Sequence, residues 1–226
     1  MDGYLSKITI KVNEHIFLKD PESSDLGKKI ISGSIELIDQ LGFDDFTFRK
    51  LSQKINTTEA SVYRYFENKH KLLLYLTDWY WCWMDYRFMF STMNIIDPKE
   101  RLARALKVIT EKIEQDGSFA HINEVKLQKV IFEESAKAYF NKKVDKENKL
   151  GAYSWYKNLV EQISQIVLEI KPNFDYPHML VSTVIEGAHH QRFFAEHLPS
   201  LTDKTKEGDA ICKFYKKLVY KTLSIE

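Results

Sequence analysis

The sequence predicts an all-α protein, with a three-helix helix-turn-helix domain near the N-terminus and a larger helical domain after it. The first supporting observation is periodicity, because apolar residues recur at steps of three and four from Ser23 onward, as in amphipathic helices. The second is the placement of breakers, since Gly117, Pro172 and Pro199 fall between the periodic stretches. The third is composition: 44% of the 226 residues are hydrophobic, which is enough for a packed core.

Charge and composition exclude several classes of protein. The chain has 33 basic and 32 acidic residues, so it cannot bind a polyanion by bulk charge, and any nucleic-acid surface has to be local. The strongly apolar run 72–84 is interrupted by Asp78 and is shorter than the roughly 20 residues of a membrane helix. The N-terminus lacks an apolar signal core, and Cys82 and Cys212 are far apart. We therefore expect a cytoplasmic protein without a membrane segment, disulfide or zinc site.

An N-terminal extension covers residues 1–22. Its apolar residues alternate with polar ones, as in a strand: Ile8, Ile10, Val12, Ile16 and Leu18. A three-residue loop between the two runs would place these side chains on one side of a short β-hairpin. The loop lacks glycine, so a poorly ordered tail is the alternative.

The predicted helix-turn-helix domain covers residues 23–75. Ser24 is a suitable N-cap for its first helix, which Gly42 ends. Thr47 can cap a short second helix. Thr58 can cap a third, running to about residue 66.

The third predicted domain covers residues 76–226. A long helix over 68–92, capped by Asn68, leads into it and has apolar residues on more than one stripe, so it should pack on two sides. The pattern predicts five further helices, over 98–115, 121–140, 145–170, 174–197 and 206–223.

The segment 47–71 concentrates positive charge on a helix-turn-helix. Its two short helices are separated by about three residues, the geometry in which a second helix enters the DNA major groove. Two acidic side chains, Glu59 and Glu67, stand against six basic ones. The basic residues are Arg49, Lys50, Lys54, Arg64, Lys69 and Lys71. An otherwise near-neutral chain thus provides local charge for phosphate binding.

About 50 residues of this region resemble the TetR family of bacterial transcription regulators. The resemblance is carried by Leu41-Gly42-Phe43, Phe46-Thr47-Phe48, Leu51, Ile55, Thr58, Ser61-Val62-Tyr63, Tyr65-Phe66, Asn68-Lys69 and Leu72-Leu73. Two positions depart from the family pattern. Asn56 stands where a turn glycine is usual but tolerates a left-handed backbone, and Ala60 replaces a common glycine of the recognition helix.

The resemblance and the residue chemistry together give expected DNA contacts. Thr47 can present its hydroxyl and backbone N–H to phosphate, and the resemblance assigns Tyr63 and Lys69 to the DNA backbone. Base edges would be reached from the start of the third helix, although Thr58 can instead be used as a cap. The full expected set is Thr47, Thr57, Thr58, Glu59, Ala60, Ser61, Tyr63, Arg64, Tyr65 and Lys69.

The resemblance also implies a ligand cavity and a dimer formed by the last two helices. Candidate cavity walls are Trp79, Trp83, Tyr86, Phe90, Phe132, Tyr139, Trp155 and Tyr156. Each of these, taken singly, is more often an ordinary core residue. Candidate interface residues are Ser182, Thr183, Gly187, Ile211, Phe214 and Leu218.

The function expected from these features is a sequence-specific DNA-binding regulator, a repressor released by a small-molecule effector. Its partners would be double-stranded operator DNA, a second copy of the chain and an effector that the sequence does not identify. Glu186 and His190 lie at i and i+4, but no third ligand is spaced nearby, so we expect neither metal, cofactor nor catalysis. The alternatives are a helical protein-interaction module and a small-molecule-binding protein without a DNA function.

Overall fold

The computed structural model describes residues 10–115, 117, 119–203 and 208–225, and their regular structure is helical. Short 3-10 turns lie at Pro21–Ser23 and Pro199–Leu201. The α-helices are α1 (Asp25–Asp45), α2 (Phe48–Lys54), α3 (Glu59–Tyr63), α4 (Lys69–Thr92), α5 (Pro98–Thr110), α6 (Glu124–Tyr139), α7 (Val144–Lys149), α8 (Ser154–Ile170), α9 (Pro177–His197) and α10 (Ala210–Leu223). None of these helices combines the length and the hydropathy needed to cross a bilayer.

The start of each of the first four helices is fixed by a local side-chain cap. Ser24, Thr47, Thr58 and Asn68 each accept a hydrogen bond from the backbone N–H three residues ahead, which confirms the predicted caps. Backbone geometry supports the two turns as well. Gly42 has a φ of 75° and interrupts α1 near its end, and Asn56 has a φ of 53°, the left-handed conformation that asparagine tolerates.

Helix α4 is the central element and connects α1, α2 and α3, the predicted DNA-reading helices, to the rest of the chain. Every residue from Leu72 to Asp85 is buried, because α4 packs against α5, α6 and α8. This confirms the prediction of a helix covered on more than one side. The helix runs without a break across residue 75, where the sequence predicted a domain boundary.

Several helices of the C-terminal region differ from their predicted limits. The predicted helix 98–115 ends at Thr110, and the predicted helix 145–170 is two helices, α7 and α8. Gly151, with a φ of 82°, lies in the turn between them. Residues 206 and 207 of the last predicted helix lie outside the described residues, and α10 begins after Asp209, whose carboxylate accepts two backbone N–H groups.

The described part of the N-terminal extension forms a strap rather than a hairpin. Residues 10–20 contain no strand, and Ile8 lies outside the described residues. Within this stretch, residues 10–18, here called the N-terminal strap, lie along α4. The Leu18 N–H donates to the Tyr65 carbonyl (2.8 Å), and Trp155 Nε1 donates to the Lys11 carbonyl (2.9 Å). The strap therefore contacts both the DNA-reading helices and α8.

Candidate nucleic-acid interface and regulatory region

The helix-turn-helix consists of α2 and α3, packed on each other and on α1. Leu51 and Val62 are fully buried and hold the two short helices together. On the outer side, Ala60 and Arg64 are exposed, and Tyr63 is 47% exposed with its ring edge against Phe48 (centroids 5.0 Å apart). The outer side of α3 thus offers a small, polar face of the size that a DNA groove admits.

Tyr65, one of the expected DNA contacts, is placed in the core. Its side chain is only 3% exposed, and its hydroxyl is 2.7 Å from the Ser24 hydroxyl. A side chain held between α1 and the end of α3 does not reach a base edge. The expectation for Tyr65 is therefore wrong, and the residue instead supports the domain.

Lys69 is also a structural residue in this conformation. Its ammonium group donates to the carbonyls of Phe43 (2.9 Å), Asp44 (2.9 Å) and Phe46 (3.1 Å), which lie at and just after the end of α1. An ammonium has three N–H donors, and all three are used. The side chain ties the end of α1 to the start of α4, so the expected contact of its ammonium with DNA phosphate is not supported.

Most of the other basic side chains also bind within the chain. Lys50 donates to the Asp45 carbonyl, Lys54 pairs with Glu36 (2.9 Å), and Lys71 donates to the His15 carbonyl. Arg49 and Arg64 are exposed, and their guanidinium groups have no hydrogen-bond or ion-pair partner among the described residues. These two guanidinium groups are the cations left available for a ligand. Arg49 was missing from the expected contacts, although its place in the local charge cluster was the signal for it.

The polar residues at the start of α3 divide into two groups. Thr58 and Ser61 bond to each other through their hydroxyls (2.8 Å), so both hydroxyls serve the cap. Thr57 and Glu59 are half-buried beside them and Thr47 is exposed at the start of α2. The surface that remains open consists of Thr47, Arg49, Thr57, Glu59, Ala60, Tyr63 and Arg64.

A second contact, here called the α1–α6 junction, joins the DNA-reading helices to the regulatory region. The buried carboxylate of Glu134 on α6 accepts the Phe43 N–H (2.9 Å), and Lys137 pairs with Asp44 (2.9 Å). Further along, Asp39 on α1 accepts ion pairs from Lys129 (3.1 Å) and Lys126 (3.9 Å). No local pattern of residues indicates this junction, because its partners are about 90 residues apart along the chain.

The aromatic residues expected to line a pocket form, for the most part, a packed core. Trp79 and Trp83 are buried with ring centroids 6.1 Å apart. The rings of Trp81 and Tyr156 are stacked at 4.2 Å. Phe90 is 58% exposed and does not face the interior, so its expected role is wrong.

The remaining predicted cavity walls have other partners. Tyr86 lies beside Phe90 (centroids 5.0 Å apart), Trp155 bonds to the strap, and the Tyr139 hydroxyl accepts Trp81 Nε1 (2.7 Å). Phe132 alone of the eight lines the cavity described below. Its ring stacks on His189 at 3.6 Å.

His189 and His190, which are adjacent on α9, point to different surroundings, because adjacent residues of a helix are about 100° apart. Burial lowers the pKa of His189 to about 3, so it is neutral near pH 7, whereas His190 is exposed. The Glu186 carboxylate accepts a hydrogen bond from the Tyr156 hydroxyl (2.8 Å).

A cavity of about 340 Å³ lies between α6 and α9. Its lining consists of Lys112, Ile113, Val125, Lys126, Gln128, Lys129, Phe132, Glu133, Arg192, Phe193, Ala195, Glu196 and His197. Apolar side chains and charged ones share this lining.

Helix α10 has two apolar faces, of which one is buried within the chain and the other is exposed. Ile211 and Tyr215 are buried against α5 and α9 of the same chain. Phe214 and Leu218, one turn apart, are 57% and 40% exposed on the other face. Ile211 is therefore removed from the expected interface, whereas Phe214 and Leu218 remain accessible to it.

Of the predicted interface residues on α9, one packs within the chain and two lie on its outer side. Gly187 packs within the chain, since a Cβ there would lie 2.2 Å from the Tyr215 hydroxyl oxygen. It is thus an intrachain packing residue. Thr183 is exposed, and Ser182 donates its hydroxyl to the His178 carbonyl (2.8 Å), so these two lie on the outer side of α9.

Comparison with known proteins places the helix-turn-helix in a family. Residues 30–76 match the family described as "Bacterial regulatory proteins, tetR family". This match contains the capped α2 and α3, and it confirms the resemblance that the sequence motif indicated. The comparison with curated proteins found no match.

Solved structures share the fold over most of the chain. A TetR-family transcriptional regulator, PfmR from Thermus thermophilus, is 12% identical with a TM-score of 0.57, over 86% of this chain and 97% of that chain. AibR in complex with isovaleryl coenzyme A and operator DNA is 13% identical, with the same TM-score and the same coverage of both chains. The superantigen PfiT is 16% identical with a TM-score of 0.57, over 92% of this chain and 97% of that chain. At these identities the likeness concerns the fold, and function has to be argued from the site.

Proposed function

We propose that this chain, which carries the DNA-binding domain of the TetR family of bacterial regulators, is a sequence-specific transcription regulator. The observation that carries the proposal is the exposed outer side of α3, flanked by Arg49 and Arg64, within the segment that matches the family. The buried side of the same two helices is fully packed, so this surface has a fixed shape. A fixed helix face with unpaired guanidinium groups beside it suits binding in a major groove.

We assign the open residues to two kinds of contact. Arg49, Thr47 and Tyr63 stand at the edges of the face and would hold DNA phosphates, which positions the protein without reading sequence. Thr57, Glu59 and Ala60 lie at the start of α3 and would face base edges, with Arg64 one turn further on. In this assignment Thr58 and Ser61 act by holding the first turn of α3.

A homodimer would present two such faces to DNA. Phe214 and Leu218 form an exposed apolar pair on α10, a helix that packs against α9. Pairing of α9 and α10 with the same helices of a second copy would bury this pair in a two-fold interface. Two recognition helices would then meet half-sites about 34–36 Å apart.

Replacing Phe214 and Leu218 together with aspartate tests the dimer. Burying two carboxylates in an apolar interface costs several kcal/mol, so the variant should sediment as a monomer and bind operator DNA weakly. Because both side chains are exposed in the single chain, the folded monomer should persist, which circular dichroism can verify. A wild-type protein that is monomeric at micromolar concentration would refute the interface.

Regulation by a small molecule is the second part of the proposal. A protein of similar fold has been crystallised with isovaleryl coenzyme A and operator DNA together, which supports the pairing of a ligand with DNA in this architecture. We propose that the chain acts in the cytoplasm as a repressor, and that its effector lowers its affinity for DNA. The effector can do so only by the difference between its affinities for the DNA-competent and the released states.

Selection of DNA from a random pool, followed by titration of the selected duplex, tests the DNA function. Arg64→Ala should weaken binding, and Arg49→Ala should weaken it for all sequences and lower the salt slope by about one unit. Lys149→Ala, an exposed lysine on α7, is the matched control and should change neither. Binding that shows no sequence preference and no salt dependence would contradict the proposal.

A protein-interaction module is the second candidate, since PfiT is described as a superantigen and shares the fold over 92% of this chain. In that case the outer face of α3 would contact protein, and no duplex would be enriched from the pool. The same selection experiment therefore separates the two functions.

A further inference from the structure

The cavity between α6 and α9 has the size and the lining of a small-molecule site. Its volume of about 340 Å³ lies in the range of about 300–1,000 Å³ typical of such sites. Ile113, Val125, Phe132 and Phe193 provide apolar wall. A ligand with an apolar body can therefore be enclosed here.

Charges on the lining favour an anionic group on that ligand. Four of the lining residues, Lys112, Lys126, Lys129 and Arg192, are basic, against two acidic ones, Glu133 and Glu196. The lining also contains His197, whose Nε2 lies 3.8 Å from the Glu133 carboxylate.

The cations differ in how far they are already engaged. Arg192 is held by the Asp209 carboxylate and the Thr110 carbonyl. The ammonium group of Lys112 is exposed at the cavity and has no ion-pair partner among the described residues. Lys112 is therefore the cation most ready to bind an anion.

We propose that this cavity is the effector site and that its ligand is a small amphipathic carboxylate, bound through Lys112, Lys126 and Lys129. The inference rests on the proposed function for its regulatory meaning, because an effector matters only to a regulator. It departs from the aromatic pocket expected from the sequence. In the structure most of those aromatic residues pack against one another, and Phe132 is the one member that faces this cavity.

The same lysines connect the cavity to the DNA-reading helices. Lys126 and Lys129 line the cavity from α6, and both pair with Asp39 on α1, at 3.9 and 3.1 Å. A ligand carboxylate would compete with Asp39 for these two ammonium groups. Once they turn toward the ligand, the α1–α6 junction loses the two ion pairs of Asp39, and a shift of α1 together with α2 and α3 costs less free energy.

Calorimetric titration of the full chain without DNA tests the site. The probes are decanoate, decan-1-ol and decyltrimethylammonium, which share an apolar chain and differ in charge. Decanoate should bind with one site per chain and at least tenfold more tightly than the alcohol, and the cation should not bind. Equal binding of decanoate and the alcohol, or no binding of decanoate at millimolar concentration, would overturn the proposal.

Two variants and a control test whether decanoate binds in this cavity. Ala195→Phe puts a ring into the cavity from a half-exposed position on α9, where it should not disturb folding, and it should abolish decanoate binding. Lys112→Glu should weaken binding at least tenfold, whereas Lys149→Glu on α7 should leave it unchanged. Decanoate that binds Ala195→Phe as tightly as it binds the wild type would show that it occupies another place.

Asp39→Asn tests the connection to DNA. Because the competitor for the lysines is removed, decanoate should bind this variant several-fold more tightly, and decanoate should lower its DNA affinity less than it lowers that of the wild type. In the wild type we expect decanoate to weaken DNA binding by about 5-fold or more. Unchanged decanoate affinity in Asp39→Asn, or unchanged DNA affinity in wild type with decanoate bound, would overturn the connection.

The two proposals fail separately. Decanoate binding is measured without DNA, and the DNA selection uses protein without ligand. A chain that binds decanoate in this cavity but selects no DNA would refute the transcriptional function and keep the carboxylate site. A chain that selects DNA but binds no decanoate would refute the carboxylate site and keep the transcriptional function.

Discussion

The DNA-reading helices meet the rest of the chain at two junctions that differ in their contacts. At the first, α4 continues directly from the DNA-binding domain, and all its residues from Leu72 to Asp85 are buried. At the second, α1 touches α6 through ion pairs and hydrogen bonds, such as those of Asp39 and Glu134. The first junction is the continuous helix α4, whose buried residues are largely apolar, and the second is a non-covalent contact that includes ion pairs and hydrogen bonds.

This difference indicates which junction can respond to a signal. A close-packed core resists small displacements, since moving one buried aromatic residue strains its neighbours. Half-exposed ion pairs contribute about 0–1 kcal/mol each and can be exchanged for other ionic contacts at low cost. We therefore expect α4 to set stability and the α1–α6 junction to set the position of the DNA-reading helices.

Trp83→Ala should have the largest effect and would test the role of α4. Trp83 is 2% exposed and packs against Trp79 and Tyr80, so its truncation should lower the free energy of unfolding by about 3–5 kcal/mol. Denaturant unfolding measures the loss, and Phe90→Ala on the exposed end of the same helix is the control, expected within about 0.5 kcal/mol. If Trp83→Ala kept its stability and changed only the response to ligand, α4 would be the responsive junction.

Asp78→Asn should change how stability depends on pH. Burial raises the pKa of Asp78 to about 7, while the Asn13 N–H, which donates to it, opposes the shift. The folded state therefore binds a proton more tightly than the unfolded state. The stability contributed by this group is greatest below pH 4 and is lost as the pH rises to about 7, by up to about 4 kcal/mol.

In Asp78→Asn this loss should be absent, so the unfolding free energy should fall less between pH 4 and 7 than in the wild type. The amide oxygen still accepts the Asn13 N–H, which makes the variant a conservative one. Chemical denaturation at pH 4, 5, 6 and 7 provides the comparison. Identical pH profiles for the two proteins would show that Asp78 does not carry the effect.

Substitutions of Glu134 should have a smaller effect and would sharpen the description of the polar junction. Glu134→Ala removes the acceptor of the buried Phe43 N–H and the partner of Lys137, at a cost of about 1–3 kcal/mol. Glu134→Gln keeps an acceptor for the N–H and should lose less. A loss for Glu134→Ala as large as that for Trp83→Ala would mean that both junctions serve stability alike.

The elements that sequence could predict are those fixed by neighbours along the chain. The caps at Ser24, Thr47, Thr58 and Asn68 each join residues three apart, and the left-handed turn at Asn56 depends on one residue type. All five are visible in the sequence, and the family match lies in the same segment.

The elements that could not be predicted depend on distant partners. Lys69 has the charge of a phosphate ligand, yet three carbonyls near the end of α1 use its donors. Asp39 and Lys129 look like ordinary surface charges until folding brings them together. The aromatic residue types of α4 occur both in pocket walls and in packed cores, and only the packing in the structure distinguishes a pocket from a core.

The N-terminal strap has a consequence for the order in which the chain folds. It precedes α1 in the chain, but its Lys11 and Asn13 bond to Trp155 and Leu150, which follow 144 and 137 residues later. During synthesis the three helices of the DNA-binding domain can form from local contacts, while the strap has no complete docking site until α8 has left the ribosome. The strap is thus synthesised before α1 but is among the last segments to dock, and its docking closes the longest loop that these contacts define.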